Sequence, residues 1–203
     1  MLNRSRGGLH PVYMLGGGDW KAHVIKCEVP AGDGTALGIG DAVVYNNTHN
    51  TTEVKSLSKY QIGTLPQVIK ATPGDNNPIL GIITAVEMSP DDRNTPYRKA
   101  NTQRVVSVAA HPDIVFVGAL DEALSAADLG RNANLVNGTL DTVNGISGTK
   151  VDATVANDES YQLLVLGVAP DSLAQDLGLA GANVLVKISR HQYGPSTGSG
   201  LGA

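Results

Sequence analysis

The sequence has a single cysteine, Cys27, among its 203 residues, so no disulfide can form within the chain. A reactive thiol needs activating groups that lower its pKa and keep it accessible. The sequence shows no such arrangement around Cys27, which stands between Lys26 and Glu28. We therefore predict that Cys27 is a small, at least half-buried residue of a strand, without redox or nucleophilic chemistry.

Charged residues are also scarce. They make up 17% of the chain, against about 25% in ordinary globular domains. The 15 Lys and Arg residues are outnumbered by 19 Asp and Glu residues, which gives a formal net charge of -4. Binding to a nucleic-acid backbone depends on clustered cations that release counterions. The composition therefore predicts that nucleic acid is not a partner.

Long apolar runs are absent as well. No window of the sequence approaches the ~18 consecutive apolar residues that indicate a membrane-spanning helix. The N-terminal region carries Arg4 and Arg6 but no apolar segment of signal-peptide length. We expect a protein without a membrane partner that is made and folded in a cytoplasm.

The residues that build metal and catalytic sites are few and scattered. The five histidines stand at positions 10, 23, 49, 111 and 191, so no pair has the close spacing of a zinc site. No Gly-x-Ser-x-Gly nucleophile motif occurs. The sequence therefore predicts no bound metal, no cofactor and no enzymatic activity. One alternative is a hydrolase in which the fold brings a nucleophile to His111 and Asp113.

Aromatic residues make up only 4% of the chain, with one Trp and one Phe. A platform for stacking bases or sugar rings is therefore poorly supplied. A receptor- or carbohydrate-binding module is the second alternative, and a surface aromatic cluster around Trp20 or Tyr193 would favour it.

The chain does contain a series of short β-branched, apolar segments separated by turns rich in Pro and Gly. Strands are predicted over 21–30, 161–169 and 183–190, and a hairpin over 67–87. These patterns predict an all-β fold, a compact β-barrel or β-sandwich with a short helix, an extended N-terminal arm and a flexible C-terminal tail.

The central stretch of the chain predicts a strand over 104–109 and a second strand over 114–117 that pairs with it. His111-Pro112-Asp113 separates the two, because proline cannot donate to a ladder and Asp favours turns. A short helix is predicted over 120–127, where Asp121 can cap the N-terminus and apolar residues share one face.

Composition also suggests three regions along the chain. Residues 1–20 are predicted to be an extended arm, 21–192 a β-rich domain with a possible sub-boundary near 88–103, and 193–203 a flexible tail.

The arm contains large apolar groups beside flexible glycines, and such groups need a partner on which to be buried. Its alternative is a frayed terminus. The residues predicted to contact a partner are Arg4, Arg6, Tyr13, Met14 and Trp20.

Several segments follow one another in an order known from one class of virion protein. They are Gly-Asp-x-Val at 40–43, Pro78-Ile79-Leu80-Gly81-Ile82-Ile83, Tyr97-Arg98-Lys99-Ala100 before a Val-rich strand ending in Pro112, Phe116, Ala127-Asp128-Leu129-Gly130-x-Asn132-Ala133, 145–152, a strand over 163–167, and Asn183-Val184-x-Val186-x-Ile188. Over residues 38–191 this order resembles the small head decoration, or cement, proteins of tailed bacteriophages.

This resemblance implies a structural protein that binds the outer surface of an assembled phage capsid and stabilises contacts between capsomers. It implies the major capsid protein as a partner and self-association into a homotrimer at symmetry axes. The expected location is the virion surface, after synthesis in the cytoplasm of the host bacterium. Display on a lattice makes even weak contacts effective, through high local concentration.

Overall fold

The computed structural model describes residues 7–56, 58–170 and 177–193. Within these ranges the chain forms strands and two short 3₁₀ helices, Trp20–His23 and Ala126–Asp128, so the all-β prediction is confirmed. The strands are β1 (His10–Met14), β2 (Val24–Val29), β3 (Ala42–His49), β4 (Val54–Lys55), β5 (Lys59–Tyr60), β6 (Pro66–Lys70), β7 (Gly81–Val86), β8 (Arg104–Ala109), β9 (Ile114–Ala119), β10 (Asn132–Ala133), β11 (Leu135–Val136), β12 (Lys150–Val151), β13 (Leu163–Val168) and β14 (Asn183–Ile188).

Five of these strands close into a barrel in the order β2-β6-β3-β7-β8. Strand β2 runs parallel to β6, and the other neighbouring pairs are antiparallel. Alternate side chains of a strand point to opposite faces. Val106 and Val108 of β8 therefore belong to the barrel's own hydrophobic cluster, while Val105 packs with Val54 and Leu65 in a separate one.

Cys27 is a member of the barrel cluster and is fully buried. Burial raises the pKa of its thiol to about 12, because the thiolate would be poorly solvated there. The predicted structural role of Cys27 is therefore confirmed.

The second layer is a five-stranded antiparallel sheet in the order β1-β9-β14-β13-β10. On one face, Ile114, Phe116 and Val186 join the largest hydrophobic cluster. The same cluster contains Ile82 and Ala109 of the barrel strands. The barrel and the sheet therefore share one core, and the predicted sub-boundary near 88–103 does not separate them.

The predicted pairing of the strands at 104–109 and 114–117 is wrong, although both strands form. Strand β8 pairs with β2 and β7 in the barrel, whereas β9 pairs with β1 and β14 in the sheet. All six residues of each strand are buried. Fully buried strands need a neighbouring strand on each side and packing on both faces. Each strand finds these neighbours in a different layer, and the turn between them carries the chain from the barrel to the sheet.

The predicted hairpin over 67–87 is also wrong, because β3 lies between β6 and β7 in the barrel. The long connection from β6 to β7 leaves room for another strand, whereas hairpin loops are usually of two to about five residues. Ile79, at the end of that connection, pairs with His191 near the other end of the chain.

The helix predicted over 120–127 does not form. The Asp121 carboxylate accepts a hydrogen bond from the backbone N–H of Ala153 at 2.8 Å instead of capping a helix. The N–H of Leu120 donates to the carbonyl of Ala182, and that of Leu124 donates to the carbonyl of Leu177. Long-range bonds thus replace helical ones here, and the short 3₁₀ helix begins only after Ser125.

The predicted N-terminal arm is wrong for residues 7–20. Leu9 is fully buried in the shared core, and β1 is a strand of the five-stranded sheet. The apolar side chains that suggested a free arm are partly used to cover the protein's own core. Residues 1–6 and 194–203, which include Arg4, Arg6 and most of the predicted tail, lie outside the described residues.

Candidate interaction surface

The face of the five-stranded sheet opposite the shared core carries a group of apolar side chains together with the polar residues His10, Asn132, Asn183 and Lys187. Cross-strand partners lie on the same face of a sheet, and one row joins Tyr13, Val115, Lys187 and Leu164 across β1, β9, β14 and β13. Val115 is fully buried, while Leu164 is half-buried and Tyr13 is 41% exposed. We call this side of the sheet the outer face.

A second row on the outer face joins His10, Val117, Leu185 and Gly167. Val117 is buried and Leu185 is half-buried. The charge that the two rows carry is that of Lys187, whose ammonium lies 3.4 Å from the carboxylate of Asp113. Exposed pairs of this kind contribute about 0–1 kcal/mol. The outer face is therefore mainly apolar in these two rows, with the Lys187 charge paired to Asp113.

The margin of the outer face at β1 is the most exposed apolar part. Val12, Tyr13 and Leu15 have exposed fractions of 40%, 41% and 51%. The other exposed large apolar side chains of the described ranges are dispersed along the chain: Ile62, Met88, Val143, Leu179 and Tyr193. Single apolar residues on a surface are ordinary, whereas a group rimmed by polar residues marks an interaction site.

Strand β1 is an edge strand, but its sequence discourages the addition of a further strand. Pro11 has no N–H to donate, and the register slips between Pro11 and Tyr13, which makes a bulge at Val12. Prolines and bulges on an edge hinder pairing with another strand. A partner is therefore expected to dock on the side chains of the outer face and not on the backbone of β1.

The predicted contact residues divide between surface and core. Tyr13 lies on the outer face, whereas Met14 is buried opposite Ile114 in the shared core. Trp20 is half-buried in the first 3₁₀ helix and packs against the same core. Met14 is thus a residue of the protein's own core, and its prediction as an anchor on a partner is wrong, whereas Trp20 lies at the margin of that core and is partly exposed.

Sequence reasoning missed the leucines and valines of the outer face. A signal for them was present, because the segments that form β9 and β13, IVFVGA and LLVLGV, are apolar at successive positions and not only at alternate ones. A strand with one solvated face alternates apolar and polar residues. Continuous apolar runs indicate that both faces are covered or are available to a partner.

The hydrolase alternative requires a nucleophile beside His111. The Nδ1 atom of His111 accepts the backbone N–H of Asp113 at 3.1 Å, which is a local turn contact. The imidazole ring packs against that of His23, with centroids 4.4 Å apart. Within the described ranges no Ser, Thr or Cys side chain hydrogen-bonds His111, so these residues do not assemble a triad.

A serine and a lysine do meet on the barrel, at Ser107 and Lys26. The Lys26 ammonium lies 2.9 Å from Ser107 Oγ and 2.5 Å from Glu87 Oε1. Burial alone would raise the pKa of the Glu87 carboxyl, but hydrogen bonds from Lys26 and Ser56 outweigh it and hold that pKa below its ordinary value. The Lys26 ammonium thus donates to the Glu87 carboxylate as well as to Ser107 Oγ, which is the arrangement of an ion pair and not of a serine nucleophile with its base.

The carbohydrate-binding alternative requires aromatic rings in a cleft. A cleft of about 540 Å³ lies between the loop after β2 and strands β3 and β6. Its lining comprises Pro30, Gly32, Asp33, Gly34, Thr35, Asn46, Gln67, Ile69 and Lys70. None of these is aromatic. Trp20 packs against the core and the Tyr193 ring packs against the imidazole of His191, so among the described residues neither forms the aromatic cluster that would favour this alternative.

In the part of the chain that the structure describes, no three His, Cys, Asp or Glu side chains are placed to hold a metal ion. Over the same residues, no helix is long and apolar enough to cross a membrane. Comparison of the chain with family models, with curated proteins and with solved structures finds no match.

Proposed function

We propose that this protein is a structural virion protein that binds the outer surface of a phage capsid and stabilises contacts between capsomers. The observation that carries the proposal is the apolar outer face, with its exposed margin at Val12, Tyr13 and Leu15. The resemblance of residues 38–191 to head decoration proteins supplies the class of partner. The expected partners are the major capsid protein and two sister copies in a homotrimer.

The physical basis is the burial of the outer face on a partner. Removing apolar surface from water contributes roughly 25 cal/mol per Å², and β-sheets place that surface on a rigid frame that loses little entropy on docking. A modest contact area is sufficient on a capsid, because the lattice offers many linked sites and raises the effective local concentration of each contact.

Charged substitutions on the outer face test this proposal. We expect the double variant Tyr13→Glu, Leu185→Glu to bind capsids of the encoding phage at least about 10-fold more weakly, because each carboxylate would have to be desolvated. The measurement is co-sedimentation with capsids that lack the native protein. The matched control is Val143→Glu, since Val143 is 82% exposed and belongs to neither row of the outer face.

Circular dichroism and thermal unfolding of each variant would establish that the fold is retained. If the folded double variant binds capsids as well as the wild type, the outer face is not the docking surface. If the wild type itself does not bind, the proposed capsid function is wrong.

The contribution of the N-terminal arginines needs a narrower test than deletion of the whole predicted arm. Removing residues 1–18 would also remove Leu9 and β1 from the fold. We expect Arg4→Ala, Arg6→Ala to slow capsid association several-fold at low salt, because positively charged side chains mainly steer the encounter with a partner. An association rate that is the same as wild type at every salt concentration would contradict this steering role.

A further inference from the structure

Histidines stand at three places where the chain passes between the sheet and the barrel. His23 ends the 3₁₀ helix that leads from β1 of the sheet to β2 of the barrel. His111 lies in the turn from β8 of the barrel to β9 of the sheet. His191 follows β14 of the sheet and pairs with Ile79, which precedes β7 of the barrel. We call His23, His111 and His191 the junction histidines.

His191 lies in a backbone connection between the two layers. The N–H of Ile79 donates to the carbonyl of Arg190 at 2.8 Å, and the N–H of Gln192 donates to the carbonyl of Ile79 at 2.9 Å. The side-chain oxygen of Gln192 accepts the N–H of Tyr45 in β3 at 2.7 Å. Residues 190–192 therefore tie the end of the sheet to the barrel at two places.

The imidazole of His191 is placed to be neutral. Its side chain is only 1% exposed, and its Nδ1 atom accepts the N–H of Tyr193 at 3.0 Å. Its Nε2 atom is buried and has no hydrogen-bond partner among the described residues. Because Nδ1 is the acceptor of the neutral ring, the additional proton of an imidazolium ion would fall on Nδ1, against the N–H of Tyr193. A charge at this position would therefore be both desolvated and unpaired.

The charged and titratable groups around His191 do not offset that cost. Burial above all, with smaller contributions from His111 and Lys187, lowers the pKa of His191 to about 4, while Asp113 acts in the opposite direction. Arg190 adjoins His191 in the chain. On the barrel side, the groups around Tyr193 are the thiol of Cys27 and the phenol of Tyr45.

We propose that His191 forms an acid-sensitive latch, in which its protonation releases residues 190–192 from the barrel. The direction of the pH effect follows from the linkage between proton binding and folding. The unfolded or released segment takes up a proton near pH 6.5, whereas the folded one does so only near pH 4. The stabilisation by neutral His191 is complete above pH 6.5 and is lost as the pH falls toward 4. This inference does not depend on the capsid-binding proposal.

The first test compares the wild type with His191→Gln, which stays neutral and keeps an acceptor for the N–H of Tyr193. Between pH 7.5 and 4.5 the unfolding equilibrium constant of the wild type should rise about 70-fold more than that of the variant. Urea unfolding at each pH, followed by the fluorescence of the single tryptophan, Trp20, measures both. The control is His49→Gln, an exposed site in β3, which should keep the pH dependence of the wild type.

The second test needs no substitution and applies even if His191→Gln does not fold. Amide hydrogen exchange of the wild type is measured at pH 7.5 and 4.5 and corrected for the intrinsic exchange rates. Between these pH values, the N–H groups of Ile79 and Gln192 should lose more protection than the N–H of Val106 in β8. The proposal is overturned if these two amides remain as protected at pH 4.5 as at pH 7.5. It is also overturned if His191→Gln shows the same pH dependence as the wild type.

Discussion

Replacement of Arg98 by methionine is expected to destabilise the protein by about 3–5 kcal/mol, a large fraction of the total stability of an ordinary domain. The Arg98 side chain is fully buried. Its guanidinium donates to the backbone carbonyls of Thr102 at 2.7 Å, Thr35 at 2.5 Å and Pro30 at 2.6 Å. The Asp33 carboxylate lies 4.0 Å away and balances its charge.

The size of this effect comes from the carbonyls that would be left behind. A buried acceptor that loses its donor costs about 1–3 kcal/mol, and Arg98 serves three of them in the loop after β2 and in its own loop. Methionine fills part of the volume but donates no hydrogen bond. Lysine keeps the charge, but its ammonium cannot reproduce the planar arrangement of N–H donors of the guanidinium. Arg98→Lys should therefore be destabilised as well.

Urea unfolding measures these changes directly. The matched control is Arg131→Met, because Arg131 is 43% exposed and pairs only with Asp128 on the surface; its effect should stay within about 0.5 kcal/mol. A loss of less than about 1 kcal/mol for Arg98→Met would show that water replaces the guanidinium and that the loop does not depend on it.

Local patterns predicted where strands form better than which strands are neighbours. The strand over 104–109 begins and ends at the predicted residues, because a β-branched apolar run between turn residues is a local signal. Its neighbours β2 and β7 are set by contacts far apart in the sequence. The preference of a residue for strands reflects its packing against such neighbours. Which strands are neighbours cannot be identified from the local pattern of a single sequence.

The N-terminal glycines illustrate a second limit. Gly7 and Gly8 lie in the segment that the sequence predicts to be an extended arm. In the structure Gly8 has a positive φ of 74°, and a Cβ atom at this position would lie 2.8 Å from the Cα of Gly40. Gly8 is therefore required for the close approach of two backbones. A glycine needed for contact and a glycine needed for mobility cannot be told apart from the sequence.

The candidate site shows the same limits. Tyr13 was selected from the sequence because it is a large apolar group in a glycine-rich region, and it lies on the outer face. Leu164 and Leu185 join it only because β13 and β14 pair with each other and β14 pairs with β9. The apolar content of these strands was visible in advance, but the face that they share depends on the strand order.

Asp41, the residue before β3, holds distant parts of the chain together. Its side chain is 1% exposed, and Oδ2 accepts the N–H of Gly38 at 2.8 Å. Oδ1 accepts the hydroxyl groups of Ser147 at 2.7 Å and Thr149 at 3.2 Å. The Lys70 ammonium lies 3.2 Å from the same oxygen. One carboxylate thus connects the turn before β3, the strand β6 and the loop before β12.

We expect Asp41→Asn to cost about 3–5 kcal/mol in the free energy of unfolding, because the change leaves the Lys70 charge without its partner and places an N–H₂ group among donors. The N–H of Gly8 donates to the carbonyl of Thr149. Loosening of the loop at Thr149 should therefore also lower the exchange protection of the Gly8 amide, next to β1 in the sequence.

Urea unfolding and amide exchange together test this expectation, with the exposed Asp91→Asn as the control. Adding Lys70→Met to Asp41→Asn should recover part of the loss, since the unpaired ammonium is then removed. The two sites should show a coupling free energy of about 0.5–3 kcal/mol, as residues of one network do. Strict additivity of the two substitutions would show that Lys70 and Asp41 act independently, and the carboxylate would then stabilise the fold through its hydrogen bonds to Gly38, Ser147 and Thr149 alone.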